Sequence, residues 1–525
     1  MAEGSRMSLW DYAIFVSLFV SSTAIGLYHA CRRGRGDLFS SERNLGPVSV
    51  GLSLTSTFMS AAQVLGVPSE TYMFGAKFLQ MCLGQSFNVI ITVFIFLPVF
   101  YRLRIKTTNK YLEMRFNKTV KMYGFILYIF ATVFYTGIII YAPAVILNQA
   151  TKLNIWMLVL TTGIVCTLYT TMGGMRAVVW TDVLQTLLMM SGFWVFTVRG
   201  IFRVGGVQKV WQAVYNGGRI NFGDFNPDPT QRYTFWTLFL GGSLVWLAMY
   251  GVNQAQVQRY ISCSSEKSAR WALFINLAGL WTVVGSAVCC GLVMFAFYKE
   301  CDPIRARILS TTDQLMPHFV LDIFEGVPGI IGLFLVCAYS GTLSTVSTGI
   351  NSMALVTLED IVKPCWGQMS EKQLKHIPRA LSFLFGFLCI TVAMLCSLLD
   401  NEVLRASFTV MGVTGGPLLG IFILGMFFPV ANSWGVLTGS AVGFCLSLWI
   451  SVGASFYPPS PAMIGALQTE ISGCSFLPDF NHSDAFVQQN EYSNHSDINR
   501  KYHDVGMKEG KIRWSCTTPC IVDLG

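Results

Sequence analysis

The chain has 525 residues, of which 53% are hydrophobic and only 12% are charged. Soluble domains carry about 25% charged residues, so this composition excludes a soluble globular protein and predicts one that crosses a membrane repeatedly. The net charge of +8 indicates no nucleic-acid partner, because basic cytoplasmic loops are expected of membrane proteins. The sequence has no hydrolase, zinc-protease or nucleotide-binding motif, so we expect neither an enzyme nor a bound cofactor.

Twelve apolar segments predict membrane-spanning helices, since they are long, rich in glycine and without the alternation of a β-barrel. In chain order they are Trp10–Ala30, Val48–Tyr72, Phe78–Tyr101, Tyr123–Leu147, Ile155–Met172, Ala177–Val198, Phe235–Val257, Trp271–Tyr298, Gly329–Leu358, Ala380–Leu399, Val403–Val430 and Trp434–Phe456. The basic loops Arg102–Lys121, Arg259–Arg270 and Lys363–Arg379 fall on the same side as Arg32–Arg35. The positive-inside rule places that side in the cytoplasm and the N-terminus outside.

Two segments contain small and polar residues that interrupt an otherwise apolar helix. Gly51–Pro68 in the second span is rich in hydroxyls, and Gly241–Trp246 in the seventh span leads into Gly251–Gln258. They begin two candidate sets of five helices, and an odd number of helices inverts the second copy, as in many secondary transporters. Close packing through glycine and serine explains one such segment, but two in corresponding positions favour a transporter.

This division predicts six regions along the chain. They are an extracellular N-terminus and first helix at 1–46, a first inverted repeat at 47–203, an extracellular loop at 204–234, a second repeat at 235–430, a last transmembrane helix at 431–456 and a polar extracellular tail at 457–525. The tail contains sequons at Asn481 and Asn494, which we predict to be glycosylated.

The stretch Ala338–Asn351 places hydroxyl groups inside the ninth predicted span. One helical face carries Ser340, Ser344, Ser347 and Asn351, with Thr345 and Thr348 beside it. For each hydroxyl alone, a bond to its own helix is the simpler interpretation. As a cluster, neutral oxygens without a carboxylate suit a small hard cation that must bind and then leave. The stretch therefore predicts a cation site.

With these residues in view, the chain resembles the sodium/solute symporter family over nearly its whole length, in the branch of the iodide, monocarboxylate and multivitamin symporters. The resemblance is carried by Phe58–Glu70, Tyr250–Tyr260 and Ala338–Asn351. It implies an all-α integral membrane protein of the plasma membrane, with a LeuT-type 5+5 inverted-repeat fold and an extra N-terminal helix. Gln63 and Ser407–Val413 are most similar to the iodide carriers, which implies import of iodide or similar large monovalent anions driven by Na⁺.

The resemblance also implies one sodium site, made by the hydroxyls of Ser344 and Thr345 and the carbonyls of Gly341, Ser56 and Met59.

Asp182 lies just inside the sixth predicted span, where a carboxylate is costly and functional by default. We expect it to support the sodium site from behind its ligands. The alternative interpretation, that Asp182 caps the start of that helix, fits the sequence nearly as well.

The resemblance further implies a pocket for the anion and a second sodium ion. Its expected members are Phe58, Gln63, Val67, Met81, Gly84, Gln85, Tyr135, Trp246, Leu404, Ser407 and Phe408, with Gln63, Tyr135 and Ser407 also serving the sodium ion. Aromatic edges, a methionine sulfur and amide N–H groups suit a polarizable, weakly hydrated anion. Gly84 is expected to leave space for it. The expected supporting residues are Thr342, Ser347, Asn351, Asn253 and Gln256.

Other interpretations stay open. The same machinery suits short monocarboxylates such as lactate and butyrate, or vitamins such as biotin and pantothenate. A channel is a further interpretation, and the paired broken helices argue against it. The family continues into a thirteenth helix, whereas Lys501–Gly525 is polar, so we expect that helix to be missing and keep a non-transporting protein as an alternative. A homodimer is also left open.

Overall fold

The structure is a computed structural model, and it describes residues 8–31, 45–151, 153–173, 175–228, 231–367, 369–396, 403–457 and 464–474. The sequons at Asn481 and Asn494 lie outside these residues, so their glycosylation stays a prediction. One compact unit comprises residues 1–471, and a second comprises residues 472–525, of which only 472–474 are described. Regular structure within the described ranges is helical, apart from one isolated bridge between Leu45 and Cys263.

The α-helices are α1 Leu9–Cys31, α2 Pro47–Phe58, α3 Ala61–Phe74, α4 Met81–Ile91, α5 Leu97–Leu103, α6 Thr108–Arg115, α7 Lys118–Thr151, α8 Ile155–Gly173, α9 Met175–Val204, α10 Val207–Asn216, α11 Gly242–Leu247, α12 Gln254–Tyr260, α13 Glu266–Phe297, α14 Leu315–Ile323, α15 Ile330–Thr357, α16 Lys363–Trp366, α17 Glu371–Cys396, α18 Val403–Phe427 and α19 Ser433–Phe456. Short π-helical segments join α4 to α5 at Thr92–Phe96, flank α11 at Thr237–Gly241 and Ala248–Val252, and follow α15 at Leu358–Val362.

The described helices match the predicted spans. Eight are long and apolar enough to cross a membrane, and the bent pair Pro47–Thr57 and Ala61–Phe74 makes a ninth. Three shorter apolar helices, Leu9–Ser22, Ile155–Leu168 and Thr237–Val252, coincide with the first, fifth and seventh predicted segments. Each of the twelve predicted segments therefore has its counterpart among the described residues.

The second span is broken, as the sequence predicts. Helices α2 and α3 meet at 65°, and Met59 and Ser60 between them leave the helical conformation. Hydroxyls in the last turns of α2 bond to their own backbone: the Ser56 and Thr57 side chains donate to the Ser53 carbonyl at 3.1 and 2.7 Å. Such bonds compete with the regular helical pattern and help to end the helix here.

The seventh span is broken at Asn253, which is extended between the π-helical segment Ala248–Val252 and α12. The Asn253 side-chain oxygen accepts a hydrogen bond from the Ala255 N–H at 2.9 Å. It is therefore the N-cap of α12, and its side chain accepts a hydrogen bond from one of the N–H groups that have no partner within the first turn of the helix.

Helix α15 lies at the centre of the bundle, and all but one of its residues from Gly332 to Val356 are buried. It packs against α1, α2, α7, α8, α9 and α17. The extra helix α1 fits closely because Gly332 has no side chain: its N–H donates to Asp11 Oδ1 at 2.9 Å. The hydroxyl stretch therefore faces protein on every side rather than lipid.

The loop that precedes the seventh span is fastened to the end of the second and the start of the third. Lys77 Nζ lies 2.5 Å from Asp224 Oδ2, and Arg232 pairs with Glu70. The hydrogen bond from Lys77 lowers the pKa of the Asp224 carboxyl. Because these pairs are partly exposed, they contribute to the position of the loop more than to overall stability.

Candidate functional site

The broken second span meets the hydroxyl face of α15. The Thr345 hydroxyl lies 2.7 Å from the Thr57 carbonyl oxygen and 3.0 Å from the Gly341 carbonyl oxygen. The hydroxyl oxygens of Ser56 and Ser344 are 2.8 Å apart. These neutral oxygens from two helices form a compact buried cluster, which we call the hydroxyl cluster.

Gly341 permits this close approach. A methyl group at this position would lie 2.9 Å from the Ser60 Cα and closer still to the Met59 carbonyl oxygen. The chain after α2 therefore runs directly over Gly341, with the Met59 carbonyl facing α15. A side chain here would push the break away from the hydroxyl cluster.

The structure thus brings together the five residues predicted for the sodium site, with one difference in detail. Ser56 takes part through its hydroxyl, and the carbonyl that contacts Thr345 belongs to Thr57, which sequence analysis did not name. The unwinding begins after Phe58, so the carbonyls of the last helical turn become accessible one residue later than expected.

Asp182 is fully buried inside α9, so the alternative that it caps a helix start is wrong. Its Oδ2 accepts a hydrogen bond from the Ser53 hydroxyl at 2.7 Å, and its carboxylate interacts with the Ser344 hydroxyl. It therefore lies directly behind the hydroxyl cluster, and its support of a sodium site there stays a prediction.

Arg259 is a further member of this site, although in the sequence it counts among the cytoplasmic loop charges. The side chain is only 3% exposed, and its Nη2 lies 2.9 Å from Asp182 Oδ2. The guanidinium also donates to the hydroxyls of Thr57 and Thr348. The signal available in the sequence was a lone arginine in a stretch of amide and apolar residues, directly after the broken seventh span.

Most residues predicted for the anion pocket lie on α3, α4, α11 and α18, and among these α4 packs against α11, while α18 packs against both α3 and α11. Leu404 of α18 lies against Gly66, where an added methyl would be 2.5 Å from the Leu404 Cβ. Met81 of α4 packs over Gly242 of α11. Buried on these same elements are Gln63, Val67, Gln85 and Trp246, while Phe408 is half-buried on α18.

The hydroxyls of two members of this predicted pocket already have partners within the protein. The Ser407 hydroxyl donates to the Val403 carbonyl of its own helix at 2.8 Å. The Tyr135 hydroxyl interacts with Ser60 at the break of the second span. Phe58 ends α2, and its side chain lies outside what the structure describes.

Gly84 does not leave open space, contrary to the expectation from sequence. A methyl group there would lie 3.0 Å from the Phe239 carbonyl oxygen and 3.1 Å from the Ser243 nitrogen. Gly84 is therefore a contact point with the backbone of the seventh span. A larger residue would displace that span rather than fill a pocket.

The supporting residues differ in their bonding. Ser347 donates to the Ser344 carbonyl at 3.1 Å, which ties it to the hydroxyl cluster. Within the described residues, the Thr342 hydroxyl, the Asn351 amide nitrogen and both polar atoms of the Gln256 side chain are buried without a hydrogen-bond partner. These groups have unused capacity to bind ions, water or neighbouring helices.

A partly open cavity adjoins the hydroxyl cluster. It extends from Thr57 along the later turns of α15, towards the side predicted to be cytoplasmic. Its lining residues are Thr57, Ala131, Thr132, Tyr135, Thr136, Met249, Asn253, Ala255, Thr345, Thr348, Gly349, Val410, Met411 and Thr414. Asn253 therefore lines this cavity, and the breaks of both spans border the same space.

Comparison with known proteins gives a consistent result. The profile of the sodium:solute symporter family matches residues 38–443. The human sodium/iodide cotransporter is 55% identical over 479 residues, which are 90% of this chain and 74% of that protein. The human sodium-coupled monocarboxylate transporter 1 is 48% identical over 471 residues, 89% of this chain and 77% of that protein. These relatives are named as transporters, which confirms that the chain is not an enzyme.

Among solved structures, a Na⁺-coupled sialic acid symporter in a substrate-bound, outward-open state matches with a TM-score of 0.74 at 21% identity, covering 86% of this chain and 99% of that one. This likeness confirms the predicted inverted-repeat transporter fold. The protein is a multi-pass membrane protein, in keeping with a place in the plasma membrane. The chain belongs to the sodium:solute symporter family.

Proposed function

We propose that the protein imports iodide, or a similar large monovalent anion, together with Na⁺ by alternating access. The observation that carries this proposal is the hydroxyl cluster, where α15 meets the carbonyls freed at the break of the second span. Two further supports are the predicted anion pocket beside it and the 55% identity to the sodium/iodide cotransporter.

The hydroxyl cluster suits sodium for electrostatic reasons. Its ligands are the Ser344, Thr345 and Ser56 hydroxyls and the Gly341 and Met59 carbonyls, with Asp182 supplying negative charge from behind. Neutral oxygens replace the hydration shell without holding the ion so tightly that it cannot leave. A cation bound to both serine oxygens replaces the hydrogen bond between Ser56 and Ser344.

The anion pocket suits a large, weakly hydrated ion. Gln85 is buried, and neither polar atom of its amide has a hydrogen-bond partner in the described part of the chain. Its N–H donors are therefore available to an anion, and the nearby Met81 sulfur and Trp246 ring offer soft, polarizable contacts. A carboxylate demands more directed donors, which makes iodide the better match to this lining. Gln63, Tyr135 and Ser407 complete the pocket and serve a second sodium ion.

Coupling follows from the energy of charge movement. Each net positive charge that enters gains roughly 2.3 kcal/mol per 100 mV of inside-negative potential. A tenfold accumulation of the anion costs about 1.4 kcal/mol. Movement of more than one Na⁺ per anion therefore drives uptake against both gradient and potential. Bound sodium holds α15 to the second span in the outward-open state, and its release into the cytoplasm lets the bundle rock back.

Tracer uptake in expressing cells tests this proposal. Iodide uptake is expected to require sodium and to be blocked by perchlorate, with lactate and biotin in excess leaving it unchanged. Sodium-dependent uptake of lactate or biotin, without uptake of iodide, contradicts the choice of substrate. Uptake that persists when choline replaces sodium contradicts sodium coupling.

A second candidate function is Na⁺-coupled transport of short monocarboxylates, since the human sodium-coupled monocarboxylate transporter 1 is 48% identical over most of this chain. The same uptake assay distinguishes the two. A homodimer also remains a proposal, and the mass of the purified protein in detergent tests it.

A further inference from the structure

Arg259 joins three helices that surround the hydroxyl cluster. Its guanidinium pairs with Asp182 on α9, donates to the Ser53 carbonyl and the Thr57 hydroxyl on α2, and donates to the Thr348 hydroxyl on α15. Arg259 itself comes from α12, just after the break of the seventh span. A single buried cation therefore connects the second span, the seventh span and the hydroxyl helix.

The carboxylate of Asp182 is only partly used by this arrangement. Its Oδ2 contacts Arg259 and the Ser53 hydroxyl, whereas its Oδ1 is buried and has no hydrogen-bond partner among the described residues. A carboxylate buried in a bundle stays ionised only where a positive charge compensates it. Arg259 supplies that charge from within the protein.

The same carboxylate adjoins the proposed sodium ligands, because it accepts a hydrogen bond from the Ser53 hydroxyl, and the Ser53 carbonyl in turn accepts one from the Ser56 hydroxyl at 3.1 Å. A sodium ion in the hydroxyl cluster and the guanidinium of Arg259 thus compensate one negative charge. We propose that Arg259 competes with sodium for Asp182, a role that rests on the sodium site proposed above. When sodium leaves, the guanidinium takes over the carboxylate and holds α2, α9 and α15 together. When sodium binds, the hold of Arg259 on these helices weakens.

This competition predicts an effect opposite to that of a purely structural ion pair. If Arg259 only positions Asp182, weakening its contacts lowers sodium affinity. If it competes, weakening its contacts raises sodium affinity, because a smaller fraction of the molecules then holds Asp182 with the guanidinium in the absence of sodium.

The test uses the purified full-length protein in lipid nanodiscs, titrated with NaCl against N-methylglucamine chloride, with thermal stabilisation as the readout. Thr348→Val removes one acceptor of Arg259 and leaves Asp182 untouched. The expected result is half-maximal stabilisation at a sodium concentration lower by roughly tenfold or more, as for loss of one hydrogen bond to a charged group. Thr132→Val is the matched control, because its hydroxyl lines the same cavity but bonds to the Tyr128 carbonyl of its own helix at 2.8 Å.

Arg259→Gln is expected to lower the sodium requirement further, and Thr348→Val decides the question if that variant does not fold. An unchanged or higher sodium requirement in Thr348→Val overturns the competition. The proposed sodium site fails separately, if the unmutated protein is not stabilised by sodium or if Ser344→Ala responds to sodium like the unmutated protein.

Discussion

The two broken spans solve the same local problem in different ways. At the break of the second span, the Thr57 and Met59 carbonyls face the hydroxyls and bare backbone of α15. At the break of the seventh span, the Asn253 side chain caps the new helix α12. The first break thus offers its polar backbone to another helix, whereas the second satisfies part of its own backbone. Under the proposal above, an interrupted helix binds an ion only where a neighbouring helix brings further oxygens.

The largest effect is expected where the second span touches α15. Gly341→Ala places a methyl group against the backbone of Met59 and Ser60, which cannot move aside like a flexible side chain. We expect sodium-dependent iodide uptake to fall by more than about tenfold, measured with surface expression matched. The control is Gly412→Ala on α18, where an added methyl meets no atom within 4 Å. Equal uptake by both variants contradicts the close approach.

Thr345→Val removes the hydroxyl that joins α15 to the Thr57 carbonyl while keeping a similar shape. We expect the sodium concentration for half-maximal uptake to rise about tenfold, the effect of losing roughly 1.4 kcal/mol of ion binding. Thr414→Val is the control, because its hydroxyl lines the same cavity and bonds to the Val410 carbonyl of its own helix at 2.6 Å. A matching rise in the control assigns the effect to the cavity rather than to the site.

The break of the seventh span is expected to affect stability more than sodium dependence. Asn253→Ala removes the cap of α12 and should lower the free energy of unfolding by about 1 kcal/mol. Asn253→Ser keeps a capping hydroxyl and serves as the control. Thermal unfolding in nanodiscs measures the first effect, and sodium titration of uptake the second. A tenfold change in sodium dependence in Asn253→Ala erases the contrast between the two breaks.

The smallest effect is expected at Ser407, whose hydroxyl is already bonded to Val403. It must leave that carbonyl before it can contribute to an ion site, so Ser407→Ala should raise the sodium requirement less than about threefold. Sodium titration of iodide uptake measures this. An effect as large as that of Thr345→Val would make Ser407 a principal ligand.

Much of this architecture is readable from the sequence because it depends on local composition. The twelve apolar segments, an interruption within Gly51–Pro68 and the hydroxyl face of α15 all follow from spacing along single segments. The buried position of α15 follows as well, because so many hydroxyls need protein partners.

What the sequence does not reveal depends on contacts between distant segments. Arg259 and Asp182 lie far apart in the chain, and a basic residue next to a basic loop is assigned to that loop by charge counting. Gly84 is a small residue of the kind that leaves space in a pocket, but only the packing of α4 on the seventh span shows which atoms face it. The exact carbonyls that meet Thr345 depend on where the helix unwinds, and boundaries are the least predictable feature.

The most direct test of the account is the current evoked by iodide in voltage-clamped cells expressing the protein. The account predicts an inward current on adding iodide in sodium medium. That current should disappear in choline medium and require about tenfold more sodium in Thr345→Val. Sodium-independent uptake without current, or a sodium requirement unchanged by Ser344→Ala and Thr345→Val together, would contradict the claim that α15 and the broken second span form the coupling site.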